Sequence, residues 1–312
     1  MKFSIIIPVK RFNPFLDKCL KECKKQKDSE VIVVSDEPFK YKGVKVLLLK
    51  GPPGDKRDFA AKKAKGEFLA FIDDDAYPEK NWLANSLKHF QKNVAAVAGP
   101  AVTPENEEFK RKASGLVFSS PIGGGGFGYR YSPDLVKEVD DYPTVNFIVR
   151  KKDFEKAGGF NTKYWPGEDT ILCLKLKKLG KIIYAGNVVV FHHRRKLFKE
   201  HLKQVSSYAL HRGFFAKKFP ENSLKIIYFL PSFFVIGLAA LLISSIFSPT
   251  ALTLLILVIL AYALIVAVES LRISIIEKNS KFFFFLFPSI ILTHLFYGVN
   301  FIKGLASKDL TN

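Results

Sequence analysis

The sequence predicts an α/β domain built on a mainly parallel sheet, followed by a helical membrane region. Three observations carry this. From residue 1 to about 195, short β-rich runs alternate with segments of helical spacing. The strands are near-continuous in apolar residues, the pattern of a sheet covered on both faces. Beyond residue 224 come three uncharged stretches of about 20 residues each, long enough for a helix to cross a ~30 Å hydrocarbon core.

FSIIIPV (3–9) and EVIVVSD (30–36) are the first two strands. Between them, Phe15, Leu16, Cys19, Leu20 and Cys23 recur at helical spacing. KVLLLKG is a third strand, and KRDFAAKKAKG is a helix that Gly66 should end. EFLAFID is a fourth strand, KNWLANSLKHFQ a helix and VAAVAGP a fifth strand. In such sheets ligands bind beyond the carboxyl ends of the strands. The three cysteines, Cys19, Cys23 and Cys173, form no metal-like cluster, and an odd count argues against a disulfide framework. Cys19 and Cys23 stand one helical turn apart and are predicted to be small buried residues. MKFSIIIPVKR has too short an apolar run for a signal peptide.

The predicted boundaries are a domain at 1–195, a basic juxtamembrane segment at 196–223, three transmembrane helices within 224–304 (about 226–247, 250–268 and 282–302) and a tail at 305–312. A surface helix of a soluble protein shows a polar face, and these three show almost none. The net charge of +19 invites a nucleic-acid partner, but no recognised binding module accompanies it. Basic residues cluster just before the first apolar helix, where attraction to anionic membrane lipid accounts for them. FSPT between the first two helices has no charge, and ESLRISIIEKNSK between the second and third is net positive. The N-terminal domain should therefore face the cytoplasm and the C-terminus the other side, with Lys303 and Lys308 running against the pattern.

FLAFIDDDAYP (68–78) sets three carboxylates at a strand end. In an extended chain Asp73 and Asp75 share one side and Asp74 takes the other. Two carboxylates on one side suit Mg2+ or Mn2+ together with substrate phosphates; the alternative is a solvated turn or a helix cap. WPGEDTILCLKLKKLG places Glu168 and Asp169 at the start of a helix, where Asp is common as a cap. A carboxylate there can equally accept a proton from an acceptor hydroxyl, and the helix N-terminus favours its ionised form. VVVFHHRRK delivers His192 and His193 to a strand end beside arginines suited to phosphate oxygens. The glycine run Gly123–Gly126 has no helix start after it and is expected to be a mobile loop near the acceptor or the membrane.

These features occur in an order that resembles the family 2 glycosyltransferases, which have a GT-A fold. The likeness runs over about residues 1–215. SIIIPV resembles the opening strand, and EVIVVSD the second strand with its nucleotide-binding acid. KRDFAAKKAKGEFLAFIDDD resembles the stretch leading to the Asp-X-Asp motif. VNFIVRKKDFEKAGGFNTKYWPGEDTILCLKLKKLGKIIYAG resembles the acceptor strand, GGF turn and Glu-Asp helix. LFKEHLKQVSSYALHRG is similar to the segment that links such domains to membrane helices in the subgroup building polysaccharide on lipid carriers.

The resemblance implies that Pro8 and Val9 lie against the nucleotide and that Asp36 binds base or ribose. Lys56, Arg57 and Asp73 would contact the sugar nucleotide. Asp75, with Asp73 and one of His192 or His193, would meet Mg2+ or Mn2+. Asp169 would be the catalytic base, beside Glu168. The chain has Ser35–Asp36 where the family usually has two acids, Lys10–Arg11 in place of an aromatic–Asn pair, and no Gln-X-X-Arg-Trp, which argues against processive polymerisation of the cellulose type.

The expected function is inverting, metal-dependent transfer from a nucleotide-diphosphate sugar to a hydroxyl of a lipid-linked glycan. The alternatives are transfer to a polyprenyl phosphate, whose oxyanion needs no base, and a non-catalytic membrane scaffold. Nucleotidyl transfer is disfavoured, because no Gly-rich phosphate loop follows IIIPV.

Overall fold

The computed structural model describes residues 1–310, so the last two residues of the predicted tail lie outside the described residues. The chain forms two compact units. One comprises residues 1–104 and 129–193, the other residues 105–128 and 194–310. Residues 105–128, expected in the first domain, pack with the C-terminal helices instead.

The first unit is the α/β domain. Its strands are β1 (Phe3–Val9), β2 (Ser29–Ser35), β3 (Lys45–Leu48), β4 (Phe68–Ile72), β5 (Ala76–Pro78), β6 (Val94–Ala98), β7 (Ala101–Val102), β8 (Lys137–Glu138), β9 (Asn146–Arg150), β10 (Lys181–Tyr184) and β11 (Val190–His192). Its helices are α1 (Pro14–Cys23), α2 (Pro53–Lys63), α3 (Trp82–Leu87), α5 (Lys151–Lys156) and α6 (Glu168–Lys177). The main sheet has the order β3-β2-β1-β4-β9-β6-β10-β8, and a small sheet the order β5-β11-β7. In the main sheet β9 is antiparallel to β4 and β6, and β8 to β10; the other neighbours pair in parallel.

Every residue of β1 is buried. Ile5 and Ile7 pack with Leu16, Cys19, Cys23 and Trp82, whereas Ile6 packs with Ala60, Phe71, Phe147 and Leu172. The alternation of a strand therefore divides β1 between two helical layers. Fully burying each isoleucine contributes about 1.5–3 kcal/mol. The predicted helix over 80–91 is shorter, Trp82–Leu87. α2 ends at Lys63 rather than at Gly66. Gly66 serves a close approach instead: a Cβ there would lie 2.5 Å from the carbonyl carbon of Phe3. Cys19 and Cys23 are fully buried, as the helical spacing predicts, and burial pushes the Cys19 thiol up.

The second unit comprises α4 (Phe109–Ser119), α7 (Lys199–Lys218), α8 (Pro220–Ser223), α9 (Ile226–Ser244), α10 (Pro249–Ile276) and α11 (Lys281–Ala306). α9, α10 and α11 are each long and apolar enough to cross a membrane. The residues flanking the glycine run pack against the C-terminal helices. Phe127 stacks on Tyr228 with centroids 5.1 Å apart, and the Ile122 carbonyl accepts a bond from His294 Nε2 (3.0 Å).

Candidate active site at the carboxyl edge of the sheet

β1, β2 and β4 are neighbours in parallel register, so Val9, Asp36 and Asp73 emerge at one edge. The start of α2 supplies this edge with two buried cations. Lys56, 2% exposed, donates to the Val9 carbonyl (2.7 Å) and pairs with Asp36 (2.6 Å). Pro8 and Val9 are themselves buried. Arg57, 3% exposed, reaches two acids: Nη2 meets Asp73 Oδ1 at 2.6 Å and Nη1 meets Glu168 Oε1 at 3.1 Å. Its guanidinium also stands 5.6 Å from the Phe160 ring centroid. A bridge across 111 residues has no local signature in the sequence.

The three aspartates do not follow strand alternation. β4 stops at Ile72, and the Ala76 amide donates back to the Asp73 carbonyl (3.1 Å), closing a turn. Each carboxylate takes its own partner. Asp73 takes Arg57. Asp74 accepts from Asn13 Nδ2 (2.7 Å), whose Oδ1 caps α1 through the amides of Phe15 and Leu16. Burial first, then the neighbouring Asp75 charge, pushes the Asp74 carboxyl up to about 6. Asp75 Oδ1 lies 3.1 Å from His192 Nε2.

The small sheet makes that last pair. β11 runs antiparallel to β5 with His192 opposite Ala76. The two histidines therefore separate. His192 faces Asp75, while the His193 ring packs against Phe15 (4.6 Å) and Tyr77 (5.8 Å). Among the described residues, no group of three or more His, Cys, Asp or Glu is gathered for a metal. Asp75 and His192 face each other there, and Asp73 is held on Arg57.

Glu168 and Asp169 open α6 behind Gly167, whose φ is +116°. They differ in setting. Glu168 is buried against Arg57 and accepts from the Gly167 amide (3.1 Å). Asp169 is half-buried, and its Oδ1 accepts from the Thr170 amide (2.8 Å). Behind them Thr170 donates to Asp141 (3.1 Å), a buried acid whose carbonyl accepts from Arg130 Nη2 (2.8 Å). Asp141, Arg130 and Asn13 support the site and were not legible in the sequence, because each acts through a distant partner.

A carboxylate at a helix N-terminus, two buried cations and an acid turn thus share the sheet edge. Residues 4–158 match the profile of Glycosyl transferase family 2. The chain belongs to that family. It is a glycosyltransferase with the GT-A fold. A curated relative from Methanococcus voltae is 23% identical over 99% of this glycosyltransferase and 98% of its own length. It is named dolichyl N-acetyl-alpha-D-glucosaminyl phosphate 3-beta-D-2,3-diacetamido-2,3-dideoxy-beta-D-glucuronosyltransferase. The pre-mycofactocin glycosyltransferase of Mycobacterium tuberculosis is 25% identical over 52% of the glycosyltransferase, which spans 34% of that relative's length. A mannosyltransferase from Pyrobaculum calidifontis, solved with GDP-Man and Mn2+, superposes with a TM-score of 0.64 over 99% of this chain and 88% of its own, at 16% identity. That likeness is one of fold.

Proposed function

We propose that this glycosyltransferase moves a sugar from a nucleotide-diphosphate donor to a hydroxyl of a lipid-linked glycan, with inversion, and uses Mg2+ or Mn2+. The observation that carries the proposal is the carboxylate at the start of α6: Asp169 is half-buried at the helix N-terminus, next to Glu168, which is buried on Arg57. A hydroxyl acceptor requires a base, and Asp169 takes that role in the proposed reaction. The methanococcal relative, aligned along nearly its whole length, is named for a dolichyl-linked sugar acceptor, which supports the same acceptor class. A polyprenyl phosphate would arrive already ionised and would need no base.

In the proposed reaction the acceptor oxygen bonds to the anomeric carbon as the bond to the diphosphate breaks, and the hydroxyl proton passes to Asp169. A single displacement of this kind inverts the anomeric centre. Val9 and Asp36, both tied to Lys56, form the nucleotide side with Pro8. Arg57 and Asp73 lie toward the donor sugar, and Arg57 fixes Glu168 so that α6 presents Asp169. Asp75 and His192 form an oxygen–nitrogen donor pair that fits a divalent cation completed by substrate oxygens. Such an ion, when bound, offsets the charge of the departing diphosphate. The basic segment before α9 supports a cytoplasmic position for the domain at the cell membrane, and the helices and basic residues support membrane lipid as a partner.

The test is nucleoside diphosphate release from a panel of sugar nucleotides, on membranes holding the full chain, with EDTA, Mg2+ or Mn2+. Metal-dependent release that needs a lipid-linked acceptor is expected. Release equal in EDTA and metal would overturn the metal assignment, and no release from any donor would favour the scaffold.

A further inference from the structure

Length and composition allow all three apolar helices to cross a membrane, but the packing of their ends distinguishes them. In three successive crossings, the start of the first helix and the end of the third lie on opposite faces, about 30 Å apart. Here they lie side by side. Phe229, in the first turn of α9, packs on Phe301 near the end of α11, with centroids 4.8 Å apart. Ser232 Oγ donates to the Gly298 carbonyl (3.1 Å), and a Cβ on Gly298 would lie 2.5 Å from the Pro231 carbonyl oxygen. Lys217, at the end of α7 just before the chain reaches α9, donates to the carbonyls of Leu305 (2.8 Å) and Ser307 (2.6 Å). At the other end, α10 returns to the start of α11, where Ile273 shares a core with Phe282 and Leu286.

The two ends of α11 therefore mark where the α9–α10 hairpin begins and where it ends. A hairpin that crosses and returns begins and ends on one face. A second observation agrees. α11 is flanked along its length by charged helices. Phe109 of α4 stacks on Phe282 (4.7 Å), His201 of α7 bonds Thr293 (3.0 Å), and Gly304 sits directly against the Leu210 carbonyl of α7. α4 carries Lys110, Arg111 and Lys112; α7 carries Lys199, Glu200, Lys203, Arg212, Lys217 and Lys218. A transmembrane α11 would drag these charges into hydrocarbon.

We infer that α9 and α10 alone enter the bilayer, as a hairpin, and that α11 lies in the plane of the membrane interface with both its ends on the face where the hairpin begins. The partner surface is the boundary between lipid headgroups and acyl chains. The dimensions agree. The 19 residues of α9 and the uncharged residues 250–268 of α10 each span about 28 Å, the thickness of a hydrocarbon core. The hairpin tip, residues 245–248, is uncharged, and Phe247 on it is 82% exposed. The placement also removes the conflict in the charge pattern. Lys225, Lys278, Lys281, Lys303 and Lys308 all fall on one face, as the bias of basic residues toward the cytoplasm requires. Residues 307–310, expected outside from three crossings, then return to the side of Lys225.

The inference does not depend on the transfer reaction, and its test reads topology alone. Cys19, Cys23 and Cys173 are each 0% exposed, so an introduced cysteine reports with little background. Lys199→Cys and Lys308→Cys would be placed separately in the full chain, in sealed vesicles, and treated with a membrane-impermeant maleimide. Both sites should label from the same side of the vesicle. Labelling from opposite sides would overturn the inference. Spin labels at the exposed positions Phe284, Phe296 and Lys303 give a second measure, because the outer two are about 28 Å apart along the helix. Equal, shallow depths are expected; a depth maximum at 296 would show that α11 crosses.

Discussion

Replacing Arg57 by methionine should destabilise the α/β unit by about 3 kcal/mol. The guanidinium is 3% exposed and joins two carboxylates of unequal burial. Glu168 is 11% exposed, and a charge-assisted bond at such a site contributes roughly 2–3 kcal/mol. Asp73 is 34% exposed, so solvent screens its pair to about 0.5–1 kcal/mol. Methionine keeps the apolar stem against Phe160 but leaves Glu168 charged, buried and without its cation. Adding Glu168→Gln removes that charge, so the double variant should recover about 2 kcal/mol of coupling. Trp82 and Trp165, the only tryptophans in the chain, both lie in this unit, so their fluorescence during urea unfolding reports it separately from the helical unit. A loss under about 1 kcal/mol, or no recovery in the double variant, would refute the view that Arg57 holds Glu168 at the site.

Two further outcomes are expected. Asp74→Ala should cost about 1–2 kcal/mol of stability in the same urea assay, because Asn13 Nδ2 loses its acceptor at the cap of α1, while sugar transfer persists. The helical unit should weaken in acid through His201, which bonds Ser114 and Thr293 and which burial lowers from 6.5 to about 4. The unfolded chain takes up this proton first, so the contribution is fully present above pH 6.5 and is lost as pH falls toward 4, amounting to about 2 kcal/mol at pH 5. Thermal unfolding followed by circular dichroism should show a shallower pH dependence for His201→Gln; an unchanged slope would assign the acid sensitivity elsewhere.

Those parts of the fold that depend on local pattern were legible in the sequence. FSIIIPV, FLAFI and VAAVA are apolar apart from Ser4 because both faces of the sheet are covered, and each forms the strand its pattern indicates. The strand-end and helix-start patterns brought Asp73, Asp75 and Glu168–Asp169 forward, the resemblance added Asp36, and the structure has them just beyond β4, just beyond β2 and at the start of α6. What failed was geometry over a few residues and pairing over many. Alternation placed Asp73 and Asp75 together, but it holds only while the chain stays extended, and the bond from Ala76 to Asp73 bends it. Arg57 stands 16 residues from Asp73 and 111 from Glu168, and no period in the sequence encodes such a bridge. Residues 105–128 fell inside the domain expected at 1–195, yet Ala113 and Val117 pack with Val266 and Leu286. Hydropathy identified three apolar helices without indicating which ends meet.

In the proposed reaction Asp169 takes the proton of an acceptor hydroxyl. This role is tested most directly by comparing the wild-type chain with Asp169→Asn on two acceptors, a lipid-linked sugar and a polyprenyl phosphate, with the same nucleotide sugar and metal. Transfer to the lipid-linked sugar and a fall in kcat of about 10²–10⁴ in the variant are expected, with donor KM little changed. Near-normal transfer by Asp169→Asn, or glycosylation of the polyprenyl phosphate in preference to the sugar, would contradict this role.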